Sequence, residues 1–382
     1  PNIGYSDRRG YLLGLAYYQT LGPSYDATLY ADIYGEDFLG LGAEFRYQPT
    51  NGTNGKFEGY SIDDPIVDDE RWKATLTHTT NDLPGGLRGV VRIVQVSDFN
   101  FFRDFERNFS QISNRRLNSA AYLTGNWGSH SFNFVLDELE TFIRTDVTQT
   151  QRQLPEIEYF LRPTKLFGLP VYLDAAVSAH YFEAARTGFD KVEYGRADVA
   201  PQITVPLSYW PWLSVKVSAG GRATYYEDSL NEARNDLSGE SLTRTYPFGD
   251  VSIIGPSFSR IFEKKIGPFG KFKHIIEPRF RYDFVGEPSD QDRAPIFDSI
   301  DNVRKQSIVS YALVNRILAK PADEESALGA REILSFELSQ AFSLNDDQPF
   351  QQSRDRTLMS RHSRIGARLR FTPALRTNFE AR

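Results

Sequence analysis

Residues 38–48 read FLGLGAEFRYQ. Leu39, Leu41, Ala43, Phe45 and Tyr47 fall on one side of this run, and Gly40, Gly42, Glu44, Arg46 and Gln48 on the other. A helix would repeat its apolar residues every three or four positions, whereas strict alternation is the period of a β-strand. The same period recurs outward from this run, at 72–79, 171–181, 213–219, 277–284 and 364–371. In the last two, Glu277, Arg279, Arg281 and Asp283 oppose Pro278, Phe280, Tyr282 and Phe284, and Arg364, Gly366, Arg368 and Arg370 oppose Ile365, Ala367, Leu369 and Phe371. Turn signals such as Gly22-Pro23-Ser24, Asn51-Gly52 and Pro84-Gly85-Gly86 separate the runs. Roughly 18 strands are expected, many longer than the five or six residues common in globular proteins.

Composition narrows the class. The chain of 382 residues carries 28 Phe, 20 Tyr and 4 Trp, too many large apolar side chains for a disordered segment. The densest apolar run, Tyr11 to Tyr18, is far shorter than the roughly 20 residues of a spanning helix. With no Cys there is no disulfide, thiolate metal site or Cys nucleophile. A net charge of -6 gives no footprint for nucleic acid. The chain opens on Pro1 rather than Met, which reads as a processed or excised piece.

An all-β chain with one aromatic face and one charged face fits two environments. In a soluble sandwich the polar face meets water. In an outer-membrane barrel the apolar face meets lipid, the polar face lines a wet lumen, and aromatics collect near the strand ends. Tyr17-Tyr18, Phe101-Phe102, Tyr209-Trp210 and Tyr225-Tyr226 sit near expected strand ends, and strand length favours the barrel. The expectation is one transmembrane antiparallel barrel domain over residues 1–382, closed because lipid tolerates no open strand edge.

Catalytic and metal signals are weak. The five His residues, at 78, 130, 180, 274 and 362, show no HxH or HxxxH spacing. Asp63, Asp64, Asp68, Asp69 and Glu70 crowd Pro65 and read as a solvated loop rather than a calcium site. His130 and His180 have Ser129, Ser131 and Ser178 nearby, the only trace of a hydrolase. Neither a metal nor a cofactor is expected. Pro1, Pro155, Pro163, Pro170, Pro201, Pro206 and Pro278 mark edges, bulges or weak pairing, because proline donates no ladder hydrogen bond.

Several short motifs occur in a definite order. Ala16-Tyr17-Tyr18 precedes Pro23-Ser24-Tyr25-Asp26-Ala27-Thr28 and then Glu44-Phe45-Arg46-Tyr47. Leu154-Pro155-Glu156-Ile157, Gly195-Arg196 with Pro201, His274 to Arg279 with Glu277-Pro278, Pro295 to Ser299, and Asn315-Arg316 follow. In this order the motifs resemble LptD, the lipopolysaccharide-assembly outer-membrane protein family of Gram-negative bacteria. The resemblance implies a barrel of about 26 strands, near the top of the usual size range. It implies lipopolysaccharide as cargo, an LptE-like lipoprotein plug, an LptA-like periplasmic bridge reached through a preceding domain, and contact with outer-membrane lipids. It also implies a lateral gate between first and last strands. Pro1 stands where the family's first gate proline lies, and Ala16 replaces the second, so Gly10 and Gly14 join Pro1 and Ala16 as gate candidates. Glu44, Arg46, Arg279 and Arg281 are the lumen-facing candidates, and Pro23, Asp26, Leu154, Pro155, Glu277, Pro278, Asn315 and Arg316 the structural motif residues. A fragment without the periplasmic domain and the last strands is expected. The rival readings are a passive porin or substrate-specific channel, a barrel lipid hydrolase, and a soluble all-β scaffold recovered without detergent.

Overall fold

The computed structural model describes residues 2–6, 10–35, 38–105, 115–144, 147–234, 236–322, 329–346, 348–351, 358–374 and 377–381. Pro1 lies outside them. Among the described residues 22 strands form, five of them with five residues or fewer. Two 3-10 turns and one five-residue helix are the only other regular elements among these residues, and no helix is long and apolar enough to cross a membrane.

The chain clusters into two compact units. The first holds residues 1–162, with 176–198 and 225–242. Its strands are β1 (Asn2–Ser6), β2 (Gly10–Gly22), β3 (Tyr25–Tyr34), β4 (Phe38–Thr50), β5 (Thr53–Asp64), β6 (Asp69–Leu83), β7 (Leu87–Val96), β8 (Arg116–Trp127), β9 (His130–Arg144) and β10 (Val147–Lys165, to residue 162). Each pairs antiparallel with the next, so this unit is an unbroken meander. Connections on one rim are the tight turns 23–24, 51–52, 84–86 and 128–129, and the opposite rim carries the long connection 97–115. Within it lies α1 (Phe101–Phe105). The β9–β10 register slips between Gln153 and Glu156, which puts Leu154 and Pro155 in a bulge, where a residue without N–H is tolerated.

Strands β11 (Tyr172–Arg186), β12 (Val192–Pro206) and β13 (Ser214–Tyr226) follow. The second unit holds residues 163–175, 199–224 and 243–382. It contains β14 (Leu242–Ile254, from residue 243), β15 (Phe258–Phe262), β16 (Phe269–Val285), β17 (Gln306–Pro321), β18 (Arg331–Ser343), β19 (Phe350–Gln351), β20 (Met359–Ser360), β21 (Gly366–Ala374) and β22 (Thr377–Ala381). β16, β17, β18, β21 and β22 pair antiparallel in that order. The other edge of β16 meets two short partners: β14 along Arg279–Val285 and β15 along Phe272–Ile276. Glu277 and Pro278 fall in the gap between them, where a missing ladder donor costs least.

Burial is inverted relative to a soluble protein. In the first unit Leu13, Leu15, Leu29, Ile33, Leu39 and Leu41 are 40–56% exposed, while Gly14, Gly40 and Ile62 on the opposite face are buried. In the second unit Phe280, Tyr311, Leu313, Leu338, Leu369 and Phe371 are 39–42% exposed, and Glu277 is buried. Cross-strand register makes the exposed residues neighbours: Leu13 opposes Ile33, Ile33 opposes Leu39, and Leu313 opposes Leu338. Soluble proteins do not present continuous apolar walls of this kind.

Two aromatic pairs differ from the expectation. Phe101 and Phe102 belong to α1 and are buried at 2% and 4%, packed with Leu117 and Phe142 and against Tyr60, so they do not form part of a girdle. In the other pair only Tyr226 departs, being fully buried, while Tyr225 is 47% exposed. Tyr17, Tyr18, Tyr209, Trp210 and Trp212 are exposed as an interfacial aromatic would be, with Trp210 and Trp212 stacked at 5.7 Å. The acidic loop also departs from the expectation at one residue. Asp64 is fully buried against Arg71, while Asp63, Asp68, Asp69 and Glu70 stay exposed.

Candidate functional site

The most developed polar surface lies on β3 to β6. Strand pleating sends alternate residues to one face, and cross-strand register then fixes which of them meet. Asp26 opposes Arg46, Glu44 opposes Glu58, and Tyr60 opposes Lys73. Two acids face each other at Glu44–Glu58, an arrangement that needs a cation between them. Lys56 supplies it, with Nζ 2.6 Å from Glu44 and 3.2 Å from Glu58. The chain of contacts extends both ways. Arg46 Nε lies 2.8 Å from Asp26 and 3.4 Å from Glu44, and Lys73 donates to Glu58 at 3.2 Å. Tyr60 donates to Asp32 at 3.2 Å. These side chains are partly solvated, so each pair contributes at most about 1 kcal/mol. Their role is to line a wet surface with balanced charge more than to hold the fold.

Two cavities open onto this face. One, of about 770 Å³, lies at the rim of tight turns and is lined by Pro23, Asp26, Arg46, Asn51 and Lys56 among others. The second, of about 210 Å³, is lined by Tyr30, Asp32, Glu58, Tyr60, Lys73, Phe101 and Phe105. One of its walls, Tyr60, is seated over the glycines of FLGLG. A Cβ on Gly40 would lie 2.0 Å from the Tyr60 hydroxyl, and one on Gly42 would lie 3.0 Å from the Tyr60 ring.

Among the described residues, Arg71 ties the α1 helix over this second cavity to the wall. Arg71, 4% exposed, donates to Asp98 through Nε at 2.8 Å and Nη2 at 2.9 Å, and to Asp64 and Asp104 through Nη1 at 3.0 Å each. Its guanidinium lies 4.8 Å from the Phe105 ring centre. Burial pushes the Asp98 carboxyl up, but the Arg71 and Ser97 hydrogen bonds outweigh this and hold it below the usual carboxylate range. The nearby acids Asp98 and Asp104 are far from Arg71 in sequence, and the acidic run from Asp63 to Glu70 reads as a solvated loop, so no sequence signal marks this group.

The structure distributes the remaining sequence candidates as follows. Gly10 opens β2 with φ of 69°. Gly14 is buried opposite Asn2 and Asp32, and a Cβ there would lie 2.8 Å from Asp32 Oδ1. Ala16 opposes Tyr30. In the second unit four candidates come together: Glu277 accepts from Arg279 at 2.8 Å, Arg316 at 3.1 Å and Ser257 at 3.3 Å, beside Pro278. Arg281 instead pairs with Asp283 at 2.7 Å. Asn315 opposes Ile276 and Phe336 on the apolar face. His130 Nδ1 lies 2.6 Å from the Tyr159 hydroxyl, and Ser131 donates to Asn126, so these two do not make a Ser–His couple. Among the described residues no group of three or more His, Asp or Glu side chains is arranged to hold a metal ion.

Long antiparallel strands, an apolar outward face, exposed aromatics at strand ends and a charged, cavity-bearing opposite face define a transmembrane β-barrel of the outer-membrane type. The family model described as LPS transport system D matches residues 69–382. This chain therefore belongs to the LptD family, whose address is the outer membrane of Gram-negative bacteria. LPS-assembly protein LptD of Cupriavidus necator is 26% identical over 307 residues, covering 79% of this chain and 36% of the relative. The protein of the same name from Alkalilimnicola ehrlichii is 28% identical over 301 residues, covering 78% and 38%, and that from Nitrosospira multiformis is 25% identical over 357 residues, covering 85% and 36%. The chain thus spans little more than a third of the length of these relatives.

Proposed function

We propose that this chain is barrel wall in a lipopolysaccharide transporter that carries out no catalysis and delivers its cargo to the outer leaflet. Family membership makes lipopolysaccharide the first cargo to consider. The observation that carries the reading is the pairing of the two faces on β2 to β6: leucines outward, and a continuous hydrated ion-pair chain from Asp26 to Lys73 on the other side. An amphiphile with a large sugar head and several acyl chains needs both surfaces along one wall. In this reading Glu44, Arg46, Arg279 and Arg281 face the lumen, and the whole chain is one barrel domain. The tight-turn rim is periplasmic and the 97–115 connection extracellular, following the usual asymmetry of such barrels.

The lateral gate belongs to the first strands, with Gly10, Gly14 and Ala16 near the seam; Pro1, the remaining candidate, lies outside the described residues. Parting a seam costs about 0.5–1.5 kcal/mol for each net hydrogen bond, so glycines that weaken side-chain packing there lower the cost of opening. An LptE-like plug, an LptA-like bridge and outer-membrane lipids complete the proposal.

A photocrosslinking residue at Ala16, and separately at Leu13, tests it in cells. A lipopolysaccharide adduct at either site, lost when upstream delivery is blocked, is the expected result. Absence of both adducts together with steady ion conductance from the purified barrel would overturn the reading in favour of a porin.

A further inference from the structure

The smaller cavity beneath α1 is built differently from the rest of the polar face. Elsewhere on β3 to β6 the surface is charge against charge. Here four aromatic rings, Tyr30, Tyr60, Phe101 and Phe105, enclose about 210 Å³ together with only three charged groups, Asp32, Glu58 and Lys73. Gly40 and Gly42 give the Tyr60 wall its place: their missing side chains let its ring and hydroxyl lie across β4. The rings are held in fixed attitudes: Phe101 stands edge-on to Tyr60 at 6.3 Å and 69°, and Phe105 lies 5.2 Å from Phe101. Tyr34, Phe38 and Ile62 pack behind Tyr60 and Phe105. Arg71 fixes α1 through Asp104 and Asp98.

The chemistry of this lining selects an occupant. Aromatic faces carry negative quadrupole charge and attract the polarised C–H groups on one side of a pyranose ring. Carboxylate oxygens accept hydrogen bonds from hydroxyls, and an ammonium donates to a hydroxyl or ring oxygen. A phosphate is disfavoured, because Asp32 and Glu58 line the cavity against one Lys73, and three further acids surround Arg71 just behind α1. A bare acyl chain would bury three charged groups without partners for their remaining hydrogen-bonding capacity. The occupant that satisfies every wall is an uncharged, hydroxyl-bearing sugar ring.

We propose that the cavity formed by Tyr30, Asp32, Glu58, Tyr60, Lys73, Phe101 and Phe105 is a binding station for a neutral hexose-type ring of the lipopolysaccharide head. This rests on the transport reading above. The Asp26–Lys73 ion-pair chain carries the head past a hydrated, balanced surface, and the cavity is the point on that path where a ring is held by its face.

The test places a photocrosslinking aromatic at Tyr30, inside the cavity, and at Leu13, on the apolar face, in the protein as the cell makes it. Each is probed for adducts with complete lipopolysaccharide and with lipopolysaccharide stripped of its outer neutral hexoses but retaining its phosphates. Both sites should label with complete lipopolysaccharide. Stripping should cut the Tyr30 adduct about tenfold, the loss of one or two hydrogen bonds, and leave the Leu13 adduct unchanged. A Tyr30 adduct indifferent to stripping would overturn the sugar station, as would a Leu13 adduct with none at Tyr30; in both cases the transport reading stands. Adducts at neither site would overturn the transport reading together with the station. The same probe at Phe105 is a second reporter from the opposite wall if substitution at Tyr30 lowers the amount of folded barrel.

Discussion

Replacing Arg71 with methionine should release α1 while leaving the barrel wall intact. The substitution keeps an unbranched apolar stem and removes the guanidinium that lies 3.0 Å from both Asp64 and Asp104. Asp64 is fully buried and the Asp104 side chain is 9% exposed, so neither carboxylate can recover its hydration without movement. Breaking a buried ion pair by deleting one partner costs about 3–5 kcal/mol. Asp104 escapes that cost if α1 lifts away from the wall, so the loss should appear as local opening of residues 97–105. In hydrogen–deuterium exchange that energy is a roughly 10²- to 4 × 10³-fold increase in the opening constant for amides of Phe101 and Phe102, with little change in β4. The comparison variant is Lys271→Met. Its partner Glu263 is also at 2.9 Å, but the two side chains are 53% and 71% exposed, so the expected effect is below about 1 kcal/mol. If Arg71→Met leaves exchange at Phe101 and Phe102 within about threefold of the unaltered protein, burial of this cluster does not stabilise the helix and the reasoning fails.

Three further expectations follow from the same geometry. Asp98 is held below its ordinary value of 3.8, so its contribution is complete above that pH and disappears as pH falls through the lower folded value. Exchange protection of residues 97–105 should therefore be flat from about pH 7 to 5 and decline only below about 4; a decline already complete at pH 5 would contradict the assignment. Gly40→Ala should cost about 1–3 kcal/mol by urea unfolding, because its Cβ would collide with the Tyr60 hydroxyl and ring. Gly59→Ala, whose nearest contact is Phe57 at 3.5 Å, should be tolerated, and equal midpoints for the two would refute the close packing of Tyr60 over Gly40. Glu277→Gln should lower the urea-unfolding free energy by about 1–3 kcal/mol and speed exchange near Ser257, since the charge that receives Arg279, Arg316 and Ser257 is lost.

Much of the wall can be read from local sequence because the strand period is two and needs no knowledge of the partner. FLGLGAEFRYQ assigns Leu39 and Leu41 to one face and Glu44 and Arg46 to the other, and the structure keeps those sides. The bulge at Leu154-Pro155 and the gap in pairing at Pro278 follow from a single chemical deficit, the absent N–H. What stayed hidden depends on contacts distant in sequence. Phe101-Phe102 looks like any aromatic doublet at a strand end; only the rear packing of Leu117 and Phe142 makes it core. Asp64 looked like one more solvated acid because its partner Arg71 is fixed by Asp98 and Asp104, which are 27 and 33 residues beyond Arg71. The glycines of FLGLG are visible as small residues, but the ring they seat belongs to Tyr60, on the next strand in register with Gly42.

The split partner of β16 has a mechanical consequence. A barrel built only of unbroken staves transmits any change of curvature from one rim to the other. Here one stave is cut at Gly255, whose φ of 109° no ordinary residue adopts, so that β14 and β15 grip the two halves of β16 independently. The curve of β16 is therefore set twice, by Phe248–Ile254 along Arg279–Val285 and by Phe258–Phe262 along Phe272–Ile276, and Glu277, at the join, is tied to the interruption itself through Ser257.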